Sequence, residues 1–595
     1  MKRSSRTIFA LTTGILAVAS IQPLYAQRIS NGSLSVRLSD FHSFQTSADD
    51  YAPTDMIQMP DGRFMVATLG GTVRLLDQNG GLISTLMSPT ETQTTKVDIT
   101  HYGMTSLQLH PDFDQVGTFG YGKAYALVTQ QPQTVTGVTA DFSVPGGNPA
   151  TNGSFTNQDV VREYDLTSML TSGTTSYVGQ SVTSRDIWRI DSPQASHNAF
   201  DIVFSSNGDM YITSGDGGFT ELNSLGPLHN RRQKSQDLDS AYGKILRINP
   251  DPNAYTQTGG QNNQYSIPDD NPFFNTSGAL KEIFANGVRS PYRMNLDPDD
   301  PNEETLWLGD VGEGGREEVS KVTKGANLGW GRFEGTNQSN GSISLQGNAH
   351  TPPEFQYSHG PLSLTSSSSG PFDNYNEEAG GNSITGGHLY RGTALGPEFD
   401  GLYIGANLGH HAGSSQRLPR LFYGDPDDAA VDLFKFDFDP FGQKFDNDFL
   451  NTDMFVPGFD FEAAGLTPGE FDLPQLIISI TEDAAGELYV LGVDFNGLAT
   501  ISKIVPNLLP GDVDNMNGVT LDDFLIIRAN FNQAVASRSQ GDLTGDGIVD
   551  LDDYGQWQAN VSPAVAAAAN WNVLEPSGVV LLLAGLLAMP LGRRR

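Results

Sequence analysis

The chain has 595 residues and no cysteine, so disulfide bonds do not stabilise its fold. Asp and Glu outnumber Lys and Arg by 69 to 35, which gives a formal net charge of -34. This charge excludes nucleic acid as a natural partner and disfavours anionic lipid, because an acidic surface repels both polyanions.

The N-terminus has the pattern of a secretory signal peptide. The basic residues of MKRSSR precede the apolar run TIFALTTGILAVASI, which is too short for a membrane-spanning helix, and a cleavage site follows Ala26. We therefore predict a signal peptide over residues 1–26. The mature protein is expected to be exported and to be extracellular or bound to the cell surface.

One strand–turn–strand unit recurs through the following 450 or so residues, and long helical periodicity is scarce. Each unit has an apolar strand, a turn rich in Asp, Asn and Gly, and a second strand that ends in small residues. About six recurrences predict an all-β fold, a six-bladed β-propeller over residues 27–506. Sandwich domains in series are the competing fold, but their repeats would not share this turn composition.

Several segments of this region resemble, in order, the soluble glucose/sorbosone dehydrogenase family, in particular its hedgehog-interacting-protein-like branch. The resemblance covers about residues 51–505 and is carried by SLQLHPDF, SHNAFDIVFSSNGDMYITSGDGG, YGKILRINPD, IPDDNPFF, NGVRSPYR, GDVGEGGREEVSKVTKGANLGWGRFEG, SITGGHLYRG and ISITEDAAGELYVL. It implies an enzyme that uses pyrroloquinoline quinone (PQQ) and calcium to oxidise an aldose-type sugar. An external electron acceptor would then reoxidise the cofactor.

The resemblance also implies roles for three residues. His197 matches the general base that removes a proton from the anomeric hydroxyl of the sugar, and imidazole suits this task near neutral pH. Asp216 matches the carboxylate that holds this histidine. Arg289 matches an arginine that stabilises negative charge on the reduced cofactor.

The remaining cofactor residues are also implied by the resemblance. PQQ carries three carboxylates, for which the candidate cations are Arg391, Arg417 and Arg420, and His101 stands where the family usually has Gln or Glu. A calcium ion that activates the quinone would bind the backbone carbonyls of Gly312 and Glu313.

The sequence departs from the family at several positions. Ser290 replaces an Asn that follows the arginine, and Ala199 and Phe200 replace a pair of glycines after the histidine. These departures keep open a non-catalytic extracellular propeller that binds polysaccharide or protein. A calcium-dependent hydrolase or lactonase is a third alternative, for which no set of channel-lining carboxylates is evident.

Two acidic loops follow Pro510, and each opens a short predicted helix, DDFLIIRANF and DDYGQWQAN. In the second loop the spacing of a calcium-binding EF-hand-type loop is met by Asp542, Thr544, Asp546, Asp550 and Asp553, with Gly547 at the sharp turn. The first loop keeps Asp512, Asp514 and Asp523 but has Met516 at a ligand position, so we expect a weaker site.

The paired loops resemble a type I dockerin, a small α module whose usual partner is a cohesin. We assign this calcium-binding module to residues 507–562. A calcium-stabilised spacer without a partner is the alternative.

The C-terminus combines Leu574-Glu575-Pro576-Ser577, a short apolar run and three arginines. This order resembles the PEP-CTERM sorting signals that an exosortase-type enzyme removes, with a plain membrane anchor as the alternative. We assign residues 563–572 to a linker and residues 573–595 to the sorting segment.

Overall fold

The computed structural model describes a large part of the chain in two compact units, which contain Arg37–Val505 and Pro506–Arg595. The described residues are 36–47, 50–94, 103–130, 139–143, 157–192, 196–218, 231–260, 263–358, 383–408, 410–412, 415–417, 420–427, 433–435, 474, 476–494, 496–506, 511–514, 519–535, 538–544 and 546–569. In these ranges no helix is both long and apolar enough to cross a membrane.

The first unit contains six four-stranded antiparallel sheets; five are built from strands in chain order, and the sixth is completed by the first strand of the unit. The first three blades, from the innermost strand outwards, are β2 (Pro53–Gln58), β3 (Phe64–Thr68), β4 (Val73–Leu76), β5 (Leu82–Met87); β6 (Met104–Leu109), β7 (Lys123–Gln130), β8 (Asn157–Asp165), β9 (Ser184–Ser192); and β10 (Ile202–Phe204), β11 (Met210–Ser214), β12 (Lys244–Ile248), β15 (Ile283–Asn286).

The other three blades continue this pattern. Their strands are β16 (Pro291–Leu296), β17 (Leu306–Asp310), β18 (Arg316–Val322), β21 (Phe355–Ser358); β22 (Ile384–Leu389), β23 (Tyr403–Asn407), β26 (Arg420–Gly424), β27 (Leu433–Lys435); and β28 (Leu476–Glu482), β29 (Leu488–Val493), β30 (Leu498–Pro506), β1 (Val36–Gln45). This arrangement confirms the predicted all-β, six-bladed propeller.

Short elements interrupt the blades. They are the helices α1 (Pro89–Thr92), α2 (Thr167–Ser172) and α3 (Arg231–Gln236), a 3-10 turn at Pro397–Phe399, and the hairpins β13 (Gln257–Gly259) with β14 (Tyr265–Ile267), β19 (Phe333–Glu334) with β20 (Asn337–Gln338), and β24 (His410–Ala412) with β25 (Ser415–Arg417).

The sixth blade closes the ring by using both ends of the propeller sequence. Its outermost strand β1 pairs with β30, although more than 450 residues separate them. Beside this pair, the backbone N–H of Thr46 donates to the carbonyl of Gly497 at 2.7 Å. The side chain of Gln45 donates to the carbonyl of Asn496, also at 2.7 Å.

Apolar side chains fill the spaces between adjacent blades. Met65 and Leu75 of the first blade, for example, pack in one buried cluster with Leu107 and Ala126 of the second. Alternate residues of each strand point to opposite faces of the sheet, so every blade presents apolar side chains to both neighbours. Inner strands are therefore buried on both faces, as in β3, where all five residues are buried.

A buried guanidinium links the innermost strands at the centre of the ring. The Nη atoms of Arg293 donate to the carbonyls of Thr54 at 2.6 Å, Thr105 at 2.8 Å and Phe200 at 3.3 Å. Its Nη1 also lies 3.7 Å from the carboxylate of Asp201. One side chain of the fourth blade thus joins the first three blades.

Replacing Arg293 with Met is expected to lower the free energy of unfolding of the propeller by about 3–5 kcal/mol, because it removes the cation beside the buried carboxylate of Asp201 and the donor to three carbonyls. Chemical denaturation measures this loss. The matched control is Arg63→Met, which breaks a more exposed ion pair with Asp61 and should cost less than about 1 kcal/mol. Equal losses in the two variants would contradict a central role for Arg293.

The second unit contains three helices around a small apolar core. They are α4 (Leu521–Ala529), α5 (Leu551–Asn560) and α6 (Pro563–Ala568). Phe524 and Trp557 are buried, and their rings lie 5.1 Å apart. Thr520 and Asp550 begin α4 and α5 with the same reciprocal capping pattern, in which a side chain at each N-cap accepts a backbone N–H.

The helix α6 corrects part of the predicted linker at residues 563–572. Residues 563–568 are helical, and Ala569 is buried in the apolar core of the second unit. The Ala-rich segment PAVAAA has high helix propensity, and Ser562 caps its first turn. The predicted signal peptide and sorting segment lie outside the described residues.

Candidate active site

One end of the propeller gathers the residues that the sequence singled out. The strands β10 and β16 begin at this end and β11 and β17 finish there, as their antiparallel pairing requires. We call it the His197 end. The turns between β10 and β11 and between β16 and β17 lie at the opposite end.

Two adjacent loops at the His197 end hold the predicted base and its carboxylate. The N–H groups of Gly215 and Gly217 donate to the carbonyls of Asn198 and His197, at 3.0 and 3.1 Å. A Cβ atom at position 215 would lie 2.3 Å from the carbonyl oxygen of His197, so only glycine permits this approach. His197 itself has a φ of 60°, a left-handed conformation that is uncommon outside glycine.

His197 and Asp216 form a short hydrogen bond. The Nδ1 atom of His197 lies 2.7 Å from Oδ1 of Asp216, whose side chain is 0% exposed, whereas the imidazole is 13% exposed. A carboxylate at Nδ1 favours the tautomer with its proton on that nitrogen. The other ring nitrogen, Nε2, is then the atom able to accept a proton.

Trp330 supplies a further donor to the same carboxylate. Its indole Nε1–H donates to Oδ2 of Asp216 at 2.9 Å, and the N–H of Gly218 donates to Oδ1, also at 2.9 Å. The backbone N–H of Asp216 donates to the carbonyl of Arg289 at 2.8 Å. The three predicted catalytic residues therefore lie together, and Trp330 joins them.

The arginine of this group is held by its main chain and its side chain. The N–H groups of Arg289 and Ser290 donate to the carboxylate of Asp310 at 2.9 and 2.7 Å, and the Arg289 guanidinium donates to the carbonyl of Val311 at 2.7 Å. Burial raises the pKa of Asp310 to about 7, although these N–H donors and the cation act in the opposite direction.

A second arginine adjoins the same cluster. The guanidinium carbon of Arg232, in α3, lies 4.5 Å from the centroid of the Trp330 ring, and that of Arg289 lies 5.5 Å from the same ring. Arg232 also forms an ion pair with Glu313 and donates to the hydroxyl of Ser339 at 3.0 Å. Two cations therefore neighbour one buried indole.

The predicted calcium loop is organised around a carboxylate. Oε1 of Glu334 accepts four successive backbone N–H groups, from Glu313 at 2.7 Å, Gly314 at 2.9 Å, Gly315 at 2.8 Å and Arg316 at 3.3 Å. Burial acts to raise the pKa of Glu334, but these four donors outweigh it and the pKa is lowered. Glu334 thus fixes the backbone of the loop that contains Gly312 and Glu313.

A buried acid lies beneath the segment that carries His197. The carboxylate of Asp159 accepts hydrogen bonds from the hydroxyls of Ser192 at 2.7 Å and Thr129 at 3.2 Å, and from the N–H of Ala199 at 3.2 Å. Burial raises its pKa from 3.8 to about 6. Folding therefore shifts this carboxyl towards its protonated form relative to the unfolded chain.

This raised pKa predicts a pH-dependent contribution to stability. Since the folded pKa of Asp159 exceeds its ordinary value, the stabilisation is complete at acid pH and disappears as the pH rises through about 6. The expected loss from this group between pH 5 and pH 8 is about 1.4 kcal/mol. Denaturation of wild type and Asp159→Asn at both pH values measures it. The variant should lose this component, and an unchanged pH dependence would contradict the assignment.

Arg391 does not join the site, which corrects its predicted cofactor role. It follows the end of β22 and lies at the opposite end of the propeller, where its Nε donates to Asp299 at 2.8 Å and its Nη1 to Asp400 at 2.7 Å. Asp299 belongs to the turn between β16 and β17. The two carboxylates already compensate the charge of Arg391.

The other predicted cofactor residues are located by their backbone alone. Arg420 begins β26 opposite Asn407, which in turn pairs with Ile384 at the start of β22, so this position lies at the His197 end. Arg417 lies in the hairpin between β23 and β26. The prediction for His101 falls outside the described residues.

Trp330 and Arg232 were not identified from the sequence. Trp330 is one of only five tryptophans and lies in GANLGWGRFEG, one of the segments that carry the family resemblance. Its position in that segment could have indicated a functional role. Arg232 lies in the segment RRQKSQ, where adjacent basic residues in an acidic chain were the only hint. Their contacts with residues more than 70 positions away require the folded chain.

Phe200 reaches the axis of the propeller. It lies in the core with its ring 5.2 Å from that of Tyr292. Both rings line a small cavity on the axis, together with residues from the innermost part of every blade: Ala52, Thr54, Leu69, Thr105, Arg293, Leu408 and Ile478. The aromatic side chain at position 200 thus narrows the central channel.

The two acidic loops of the second unit differ in geometry. Carboxylate oxygens of Asp512, Asp514 and Asp523 lie within 4.8 Å of one another. In the second loop, by contrast, the carboxylate of Asp542 accepts the N–H groups of Asp546 at 3.2 Å and Gly547 at 2.7 Å. Among the described residues, only the first loop therefore brings three carboxylates together, although the sequence favoured the second.

The remaining predicted ligands of the second loop have local backbone donors. Oδ1 of Asp553 accepts the N–H of Thr544 at 2.9 Å, and its Oδ2 accepts that of Asp550 at 2.7 Å. Calcium binding by either loop remains a prediction.

Comparison with known proteins gives the family of the propeller. The model of the glucose/sorbosone dehydrogenase family matches residues 51–378. The HIPL2 protein of Arabidopsis thaliana is 29% identical over 324 residues, which cover 52% of this chain and 43% of that protein. The aldose sugar dehydrogenase YliI of Escherichia coli is 33% identical over 129 residues, 22% of this chain and 27% of that protein. The chain thus spans less than half the length of these relatives.

The crystal structure of the soluble aldose sugar dehydrogenase from Escherichia coli in the apo form aligns with a TM-score of 0.48 and 19% identity, covering 79% of this chain and 100% of that one. The family match is independent of that alignment and extends over more than half of the chain. It includes the segments that carry His197, Asp216, Arg289 and Trp330. The chain belongs to the glucose/sorbosone dehydrogenase family.

Proposed function

We propose that the propeller is a PQQ-dependent dehydrogenase that oxidises an aldose-type sugar at its anomeric carbon. The observation that carries this proposal is the cluster of His197, Asp216, Trp330 and Arg289, which combines a positioned base with a cation. Membership in the family supports the reaction class, and the name of the Escherichia coli relative supports an aldose substrate. The bound quinone would supply the hydride acceptor.

The residues present fit such a cofactor. PQQ is a planar anion, and this end of the propeller contains an indole with two guanidinium groups near it, at 4.5 and 5.5 Å from the ring centroid. Guanidinium groups pair with carboxylates through two parallel hydrogen bonds and also stack on aromatic rings. Arg289 and Arg232 are therefore the described side chains that would hold the cofactor, and Arg417 and Arg420 are further candidates by position.

The reaction assigns a separate task to each residue. His197 accepts the hydroxyl proton at Nε2 while the anomeric carbon loses hydride, so the sugar is oxidised by two electrons to a lactone. Asp216 holds the imidazole through Nδ1 and stabilises the imidazolium that forms. Trp330 fixes the second oxygen of Asp216. Arg289 compensates the negative charge that develops nearby.

Calcium is proposed at two places. In the propeller, the N–H groups of Gly312 and Glu313 donate to carboxylates. A calcium ion at this loop would therefore bind the carbonyl oxygens, and it would act as a Lewis acid on the cofactor. In the second unit, the first loop is the stronger candidate, because carboxylate oxygens of Asp512, Asp514 and Asp523 lie within 4.8 Å of one another. We also propose that the protein is exported, that an exosortase-type enzyme processes its C-terminal segment and that a cohesin-type protein binds the second unit. An external electron acceptor would reoxidise the cofactor.

Calorimetric titration of the full chain with PQQ in the presence of calcium tests this function. We expect saturable binding by the wild type, at least about tenfold weaker binding by Arg289→Gln, and sugar-dependent reduction of a dye by the loaded protein. If the wild type does not bind PQQ, this result would contradict the proposed dehydrogenase function and favour a non-catalytic propeller. The observation that favours this second function is the ring of Phe200, which narrows the central channel.

A further inference from the structure

We propose that Arg232 is an anion-binding residue of this site, which receives a carboxylate of the bound quinone in exchange for Glu313. The inference rests on the proposed function and deepens it, because it names a cofactor-binding residue outside the predicted set.

The position of Arg232 is determined by the cluster that carries the reaction. Its guanidinium carbon lies 4.5 Å from the centroid of Trp330, whose Nε1–H donates to Asp216. On the same helix, the side chain of Gln236 donates to the carbonyl of Trp330 at 2.8 Å. The helix α3 therefore holds Arg232 against the residue that positions the base.

The two partners of the ion pair differ in exposure. The Arg232 side chain is 10% exposed, whereas that of Glu313 is 33% exposed. A partly exposed carboxylate loses little when water replaces its partner, but a nearly buried guanidinium needs an anion beside it. Arg232 is also held by the indole and by Ser339. An incoming carboxylate would therefore displace Glu313 and leave Arg232 in place.

The charges around the site make such a cation necessary. The buried acids Asp216, Asp310 and Glu318 lie at the same end of the propeller, and an anionic cofactor would be repelled by any of them that is ionised. Arg391, the cation expected from the sequence, lies at the opposite end.

The lysines nearest in sequence to this cluster have other partners. The Nζ atom of Lys244 donates to the carbonyls of Lys234, Ser235 and Tyr242 at 2.7–2.9 Å, and Lys234 itself pairs with Asp237 at 3.1 Å. Among the described side chains, Arg232 is then the best placed to share the charge of the cofactor with Arg289.

Opposite effects of the two partners provide the test. The full chain is titrated calorimetrically with PQQ in calcium as wild type, Arg232→Gln, Glu313→Gln and the matched control Arg391→Gln. We expect Arg232→Gln to weaken binding at least about tenfold and Glu313→Gln to strengthen it several-fold, because the competing carboxylate is gone. Arg391→Gln should bind as the wild type does.

Each outcome decides the inference. If Arg232→Gln and Glu313→Gln weaken binding equally, the ion pair is a structural contact and the exchange is refuted. Unchanged affinity in Arg232→Gln refutes it as well, while wild-type binding leaves the proposed function intact. If the wild type does not bind PQQ, the proposed function fails first. The variant Arg232→Lys keeps the positive charge. If Arg232→Gln binds PQQ weakly because it lacks this charge, and not because it misfolds, Arg232→Lys should bind PQQ more tightly than Arg232→Gln.

Discussion

Replacing His197 with alanine is expected to lower the turnover number about a thousandfold while leaving the affinity for the quinone nearly unchanged. Without the imidazole, no described side chain at this position can take the hydroxyl proton as hydride leaves, and general bases contribute about 100- to 10,000-fold to such reactions. Dye reduction at saturating cofactor and sugar measures the turnover, and calorimetry measures the affinity.

The chain offers a matched control for this variant. His110 lies in a turn at the opposite end of the propeller, where its Nδ1 accepts the N–H of Asp112 at 3.1 Å. The amide oxygen of His110→Asn can accept the same hydrogen bond, so turnover should not change. A His197→Ala enzyme that retains most of its activity would show that another group is the base.

Replacing Asp216 with asparagine is expected to lower turnover by about 100- to 10,000-fold. An asparagine that presents its NH₂ group to Nδ1 favours the tautomer with the proton on Nε2, which cannot act as a base. Asparagine nearly preserves the volume and retains an acceptor for the indole of Trp330. Folding can be checked by the thermal transition, which should shift little compared with the loss of turnover.

The companion variant Trp330→Phe separates positioning from packing. Loss of the indole N–H removes the donor to Oδ2 of Asp216, so this carboxylate holds the imidazole less firmly. Turnover at saturating cofactor and sugar is then expected to fall about tenfold, whereas the KM for the sugar should change little. If only the stability falls and turnover stays as in the wild type, Trp330 has a packing role alone.

The propeller could be predicted from the sequence because its signal is local and repeated. Each blade combines strands rich in apolar residues with turns of Asp, Asn and Gly, and the same pattern recurs six times. The segments that resemble the family also predicted His197, Asp216 and Arg289 as site residues, and these residues lie together in the structure.

The remaining features depend on contacts between distant positions. Trp330 meets Asp216 across 114 residues, and Arg232 meets Glu313 across 81. Arg391 was misplaced for a geometric reason: the six-residue strand β22 begins at the His197 end and carries the chain to the opposite end before Arg391. The helix α6 was missed because its alanines resemble a linker in composition although they favour a helix.

The pairing of β1 with β30 also has a consequence for how the protein reaches its native state. The outermost strand of the sixth blade is synthesised first and its other three strands come last, so the ring can close only after the whole propeller sequence has emerged. Pairing of such high sequence separation is slow and leaves strand edges exposed until it occurs. A protease that cuts after Gln45 before closure should therefore degrade the chain, whereas the same cut in the finished ring would leave β1 bound by its hydrogen bonds.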